Sequence, residues 1–155
     1  MEKFGRAQPA VRTEDIRFLT GHGRYLDDIA PEGALHAHVV RAPVGHARLT
    51  TLDASEARAA PGVHLVLTAE DLARAGVTEG LGAAVVDNRD GTKGAAPRRP
   101  LLAEDRLRFV GEAVAMVVAE TLAQAKDAAE LIEMDYDELP AHMDLAPGGE
   151  PLHEE

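Results

Sequence analysis

The chain has 155 residues, no cysteine, a formal net charge of −11 and 3% aromatic residues. That length suits one domain with a buried core, and the missing cysteine excludes disulfides, thiolate metal sites and iron–sulfur ligation within the chain. The acidic balance and scarcity of rings argue against a nucleic-acid partner. No apolar run nears the ~20 residues of a membrane helix and the start lacks a signal-peptide core, so a cytoplasmic location with no membrane partner is expected.

Residues 1–20 mix Glu14, Asp15 and Arg17 with few apolar side chains and are expected to form an irregular N-terminal arm. Gly21 to Asp28, GHGRYLDD, lacks the third glycine of a dinucleotide fingerprint, because Leu26 stands there. Its glycines are expected to allow a turn before a short strand at 24–26. Asp27 and Asp28 are neighbours that point apart in an extended chain, so they are taken as turn residues and not a metal pair.

Leu35 to Val40 alternates as a half-buried strand that places His36 and His38 on one face. A His-x-His pair is a fragment of a metal site, with His46 or a carboxylate needed as a third ligand. Nothing in the spacing enforces that third ligand, and no metal is expected. After Pro43 comes a strand–helix–strand unit. A strand over 46–52 leads to a predicted capping box of Asp53 and Glu56, a helix at 54–60 stopped by Pro61-Gly62, and a strand with Val63, Leu65 and Leu67 on one face. Thr68 and Asp71 have capping-box spacing for a further helix ending near Gly76.

Residues 78–100 are glycine-rich, small and charged, with a turn signal at Asn88-Arg89-Asp90-Gly91, and are expected to be a long loop. Gly91-Thr92-Lys93-Gly94 is not a phosphate-binding loop, because the upstream glycine is missing and Lys and Thr are in the wrong order. Leu101, Leu102, Leu107, Phe109 and Val110 are expected to return the chain to the core.

The strongest pattern spans Gly111 to Pro140. Ala113 to Ala119 is an unbroken small-and-apolar run, as in a strand buried on both faces. Thr121 and Gln124 form a capping box, and Leu122, Ala125, Ala129 and Ile132 recur on one helical face, with Gln124, Asp127 and Glu130 outward. The period then drops to two, setting Ile132, Met134 and Tyr136 against Glu133, Asp135 and Asp137, until Pro140 ends the strand.

VGEAVAMVVAET with its helix and MDYDELP resembles the α/β-hammerhead domain at the N-terminus of molybdenum hydroxylase large subunits. RTEDIRFLTGHGRYLDDI, LHAHVVRAPVGHARLTTLD and PGVHLVLTAEDL agree in colinear order, the first of them favouring the carbon-monoxide-dehydrogenase branch over the xanthine dehydrogenase branch. The resemblance implies an α+β hammerhead: a mixed sheet with two strand–helix–strand units and helices packed on it. The organisation expected is an arm at 1–20, the domain at 21–146 and an acidic, solvated tail at 147–155.

No Gly-x-Ser-x-Gly elbow and no His-Glu-x-x-His motif occurs, and Glu133, Asp135, Asp137 and Glu138 share one environment, whereas acid–base pairs need two. No catalytic, cofactor-binding or metal residue is therefore assigned. The resemblance implies that molybdopterin and the catalytic base of the parent lie beyond this chain, and that iron–sulfur clusters and FAD sit in partner subunits or domains. A fragment that packs against the rest of the large subunit is expected, inactive alone. The alternative is a free-standing small-molecule sensor or interaction module. The acidic face at 133–137 is expected to find a basic partner within the chain, Arg108 with Asp135 being favoured among Arg98, Arg99, Arg106 and Arg108.

Overall fold

A computed structural model describes residues 12–77, 80, 86–94, 96–149 and 151–152. They divide into two compact units, Met1–Ala34 and Leu35–Glu155. In the first, α1 (Asp15–Leu19) replaces part of the expected irregular arm. It is closed by the Thr20 hydroxyl donating to the Ile16 carbonyl at 2.6 Å. Phe18 stacks on Tyr25 with ring centroids 5.3 Å apart, and a side chain at Gly23 would collide with the Phe18 ring. The strand expected at 24–26 is a 3-10 turn, Leu26–Asp28, because the Asp28 carboxylate accepts from the Tyr25 amide at 2.8 Å and so captures a donor locally.

The second unit is built on two three-stranded antiparallel sheets. Its strands are β1 (His36–Arg41), β2 (Ala47–Asp53), β3 (Val63–Leu67), β4 (Arg106–Leu107), β5 (Ala113–Ala119) and β6 (Glu133–Glu138). One sheet has the order β1-β5-β3, the other β4-β2-β6. Both strand–helix–strand units are present, as α2 (Ser55–Ala59) between β2 and β3 and α4 (Leu122–Glu130) between β5 and β6. The single mixed sheet is not. Each unit starts in the central strand of one sheet and ends on an edge strand of the other, so the two units interlock. The connection at 54–62 is shorter than the dozen or so residues that a parallel crossover takes, which leaves a change of sheet as its outlet. Accordingly β5 and β6, expected in one sheet, lie in different ones.

The apolar run of β5 is buried on both sides: Val114, Ala115, Val117 and Ala119 are all 0% exposed. It supplies both cores, Val117 and Ala119 joining Ala54, Ala57, Val66, Ala125 and Ala128, and Val114 joining Ala42, Ala47, Ala103 and Leu107. On α4 the buried face is Ala125 and Ala128, with Ala129 beside it, while Leu122 is 45% exposed. The expected face through Leu122 is rotated, because close approach to a sheet favours alanine over leucine at the contact. Gln124, expected outward, lies half-buried with its side-chain amide in the space a Cβ at Gly62 would take, and the φ of +76° at Gly62 independently favours glycine there.

Caps differ from one helix to the next. On α4 the Thr121 hydroxyl accepts from the Gln124 amide at 3.2 Å, but the Gln124 side chain returns to that hydroxyl and not to the backbone. On α3 (Ala69–Arg74) the Thr68–Asp71 box is complete. On α2 the predicted Asp53–Glu56 box is absent: Ala54 takes the cap position, and Asp53 accepts from the Ser55 amide at 2.8 Å, one residue too early. Besides a register shift at Val40/Arg41 of β1, bulges shift two further strands. The one near Val63/Leu65 turns Val66 inward and leaves Leu65 46% exposed, against the predicted Val63–Leu65–Leu67 face. The other, at Leu49/Thr51, lets Leu49 and Leu52 both pack inward opposite Tyr136 and Met134. In β6 the predicted alternation holds, with Met134 and Tyr136 half-buried and Glu133, Asp135 and Asp137 exposed.

Part of the predicted loop at 78–100 lies outside the described residues. Residues 86–94 form a small hairpin, bridged between Asp87 and Lys93, with Gly91 at φ +85° in the turn that the Asn88–Gly91 signal predicted.

Candidate functional site

The histidines singled out from the sequence are dispersed between the sheets. His36 and His38 project from edge strand β1, the first exposed and the second half-buried. His46 is 4% exposed and precedes β2. Its Nδ1 lies 2.9 Å from the Pro140 carbonyl, an acceptor only, so Nδ1 carries the proton and donates. Its Nε2 is buried and finds no partner among the described residues. Among the described residues no three His, Asp or Glu side chains converge as metal ligands. His46 therefore ties the start of β2 to the residue that ends β6, a structural tether that the spacing of His36, His38 and His46 did not announce.

The acidic face of β6 also lacks the expected partner. Arg108 turns to Glu112 at 3.5 Å and to the Leu152 carbonyl at 3.1 Å, while Arg106 Nη1 donates to the Pro151 carbonyl at 3.3 Å. Asp135 is not their target because β4 pairs with β2, which keeps β6 on the far edge. The strand register sets Arg48 of β2 opposite Asp137 instead, and among the described residues no ion pair joins Glu133, Asp135 or Asp137. The same two arginines hold residues 151–152 against β4, so the tail at 147–155 is not wholly solvated as expected.

Two polar clusters carry the strongest local electrostatics. At the first, Asp71 accepts from the Thr68 amide and hydroxyl, from Arg58 at 2.6 Å and from Arg74 at 3.0 Å. Partial burial raises the proton affinity of its carboxyl, but the Thr68 hydrogen bonds and the Arg58 guanidinium outweigh that and hold it below the ordinary carboxylate range. The result links α2, through Arg58, to α3. At the second, Glu112 is 6% exposed and its carboxylate accepts from the Arg108 amide at 2.6 Å. Glu112, just ahead of the strand expected over 113–119, was given no role in the sequence; its only signal was a lone carboxylate four residues after an arginine and just ahead of an apolar run.

Leu102 and Leu107 enter the core as expected and Ala103 joins them, yet Leu101, Phe109 and Val110 do not: they are 48%, 58% and 67% exposed. Of three hollows among the described residues, one is small and two are open. The most enclosed, about 50 Å³ between α3 and the 98–104 segment, holds little more than a water or two. Open hollows lie along β3 by Arg58, His64 and Asp71, and between β1 and α4 by His38, Lys126 and Glu130. None brings together a nucleophile, a base and its orienting partner.

Fold and polar clusters together define an α+β domain whose ionic groups brace helices, a turn and residues 151–152. Its relatives carry that definition further. The family described as "Aldehyde oxidase and xanthine dehydrogenase, a/b hammerhead domain" matches residues 20–140, and the chain belongs to this family. It is 44% identical over 135 residues to the nicotine 6-hydroxylase large subunit of Paenarthrobacter nicotinovorans, covering 86% of this chain and 16% of that one. With the carbon monoxide dehydrogenase large chain of Hydrogenophaga pseudoflava it shares 39% over 140 residues, again 16% of the relative and 90% of this chain. The xanthine dehydrogenase of Oryza sativa subsp. japonica shares 33% over 139 residues, 89% of this chain and 9% of that one, so the carbon-monoxide-dehydrogenase likeness is the stronger of these two. Among solved structures, quinoline 2-oxidoreductase from Pseudomonas putida 86 superposes with a TM-score of 0.73 at 43% identity, over 85% of this chain and 16% of that one. The chain thus spans about a sixth of the length of the first of these relatives.

Proposed function

We propose that this chain is the structural hammerhead domain of a molybdopterin-dependent hydroxylase large subunit. In this role it packs against the molybdenum-binding remainder of the polypeptide and helps to seat iron–sulfur and flavin partners. The observation that carries the reading is the family match over 20–140 together with the likeness to chains named as a hydroxylase large subunit and a dehydrogenase large chain, of each of which this chain covers 16%. One relative bears the name "Xanthine dehydrogenase molybdenum-binding subunit" (Escherichia coli O157:H7), 32% identical over 148 residues, 92% of this chain and 19% of that one. A solved relative is titled a Cu,Mo carbon monoxide dehydrogenase, with 38% identity and a TM-score of 0.71 over 87% of this chain and 16% of that one.

The described residues do not fit a molybdopterin site. No cysteine is available and no ligand cluster forms among them. The enclosed hollow of about 50 Å³ is too small for a pterin, and the larger hollows are open. Cofactor contacts, the oxidation or hydroxylation itself and its base therefore belong to the remainder of the parent, and this chain supplies packing. The reading keeps residues 1–20 as an arm, 21–146 as the domain and 147–155 as a tail. It also places the assembly in the cytoplasm; no described helix is long and apolar enough to cross a membrane.

The test is to tag the gene in its own host and purify the product under native conditions. A molybdenum-containing polypeptide several times heavier than 16.5 kDa supports the reading. A 155-residue product that purifies without molybdenum or partner subunits overturns it.

A further inference from the structure

The turn from Phe109 to Glu112 spends charged groups on holding apolar ones in water. Glu112 is 6% exposed and its partner Arg108 side chain 14% exposed, and a buried carboxylate is costly unless paired and hydrogen-bonded. Its Oε2 accepts from the Arg108 amide at 2.6 Å, and its own amide closes the turn on the Phe109 carbonyl at 3.2 Å. Gly111 takes a φ of +90° at the third position, as a type II turn requires. The turn is then clamped to the end of β1 by three more bonds. The Gly111 amide donates to the Ala42 carbonyl at 2.8 Å, the Ala42 amide to the Glu112 carbonyl at 2.8 Å, and the Arg41 guanidinium to the Gly111 carbonyl at 2.8 Å. A turn fixed from both sides in this way needs no exposed aromatic residue for its own stability. Yet it presents Phe109 and Val110, 58% and 67% exposed, side by side.

We propose that Phe109 and Val110 are a preorganised anchor that inserts into an apolar pocket on the remainder of the same large-subunit polypeptide. The inference rests on the proposed function and names the surface through which that packing occurs. Two observations commit it to this occupant. The chain accounts for only 16% of its nicotine hydroxylase relative, so most of such a polypeptide is available to cover the turn. And Arg108, which braces the turn, also binds the Leu152 carbonyl while Arg106 binds that of Pro151, so the segment at 151–152 runs along the base of this same turn. A rigid aromatic presented in its bound conformation loses little freedom on docking, which is where such anchors gain their affinity. Leu122 on α4, 45% exposed, has no comparable clamp and serves as the control.

The experiment is limited proteolysis of the native full-length enzyme carrying Phe109→Ala, Phe109→Asp or Leu122→Asp, following cleavage within 141–152. With Phe109→Ala, cleavage accelerates roughly tenfold or more, since loss of an aromatic anchor raises the population of the undocked state. Phe109→Asp acts in the same direction and more strongly, and Leu122→Asp leaves the rate unchanged. If Phe109→Asp yields no soluble enzyme, Phe109→Ala alone decides. An unchanged rate with Phe109→Ala overturns the proposal. So does selective loss of a flavin or iron–sulfur subunit, or dissociation of a large-subunit dimer, with cleavage unchanged; those results would hand the turn to another partner. The molybdenum content of the unsubstituted enzyme reports separately on the functional reading.

Discussion

The two strand–helix–strand units run in parallel roles but are secured by different forces. In the β5–α4–β6 unit, a nine-residue helix lies on a strand buried on both faces, with Ala125 and Ala128 at the contact and a threonine hydroxyl closing the first turn. In the β2–α2–β3 unit, the helix has five residues and no side-chain cap, buries Ala57 and is tied outward by Arg58 to Asp71 of α3 at 2.6 Å. A helix that short has almost no stability of its own, so it persists through contacts at its ends. One unit is therefore held by apolar burial, the other in part by charge, and acid, salt and side-chain deletion should tell them apart.

The largest effect belongs to the buried strand. Val117→Ala should cost roughly 2–3 kcal/mol, two methyl groups of transfer free energy plus a residual cavity. Leu52→Ala on the half-buried face of β2 should cost less, and denaturant unfolding midpoints measure both. If the order reverses, β5 is not the centre of stability that its burial indicates. Next come the caps. Thr121→Ala should cost about 0.5–2 kcal/mol, whereas Glu56→Ala should stay within about 0.5 kcal/mol, because the box predicted for it does not form. Equal losses at the two sites would restore that box.

The smallest effect is ionic. Arg58 is 44% exposed, so Arg58→Ala should cost only about 0–1 kcal/mol, less at high salt. Asp71 is the pH reporter. Its carboxyl titrates below the ordinary value of 3.8 in the folded chain, so its contribution is present above that value and is lost as the pH falls through it and below. Asp71→Asn should flatten this part of the acid limb of a thermal-stability profile. A limb that keeps its full slope would remove Asp71 as the link between α2 and α3.

Much of this fold was legible, and what escaped has physical causes. The alternation in 133–138, the apolar run in 113–119 and the Thr68–Asp71 box are local patterns, and each formed where it was expected. Sheet membership depends on which strands meet in space, so one mixed sheet was expected where two antiparallel ones stand. Bulges broke period two near Leu65 and at Leu49, as an unpaired residue always does without leaving a mark in the hydropathy. Alanine at Ala128 outranked Leu122 at a tight helix–sheet contact. Phe109 and Val110 were expected inside because they are apolar, yet they lie on a turn whose clamps come from Arg41, Ala42 and Glu112. An acidic strand face beside nearby arginines invited a pairing, but Arg108 is taken up by Glu112 and the Leu152 carbonyl.

The central claim is that this chain contributes packing and no redox centre of its own. Its most direct test sets the purified 155-residue chain beside the full native enzyme in one assay, measuring bound molybdenum and dye reduction with aldehydes, purines and carbon monoxide. The account predicts that the folded chain holds no stoichiometric molybdenum and stays at baseline, while the full enzyme holds the metal and reduces dye with its own substrate. Substrate-dependent dye reduction by the 155-residue chain alone would contradict it.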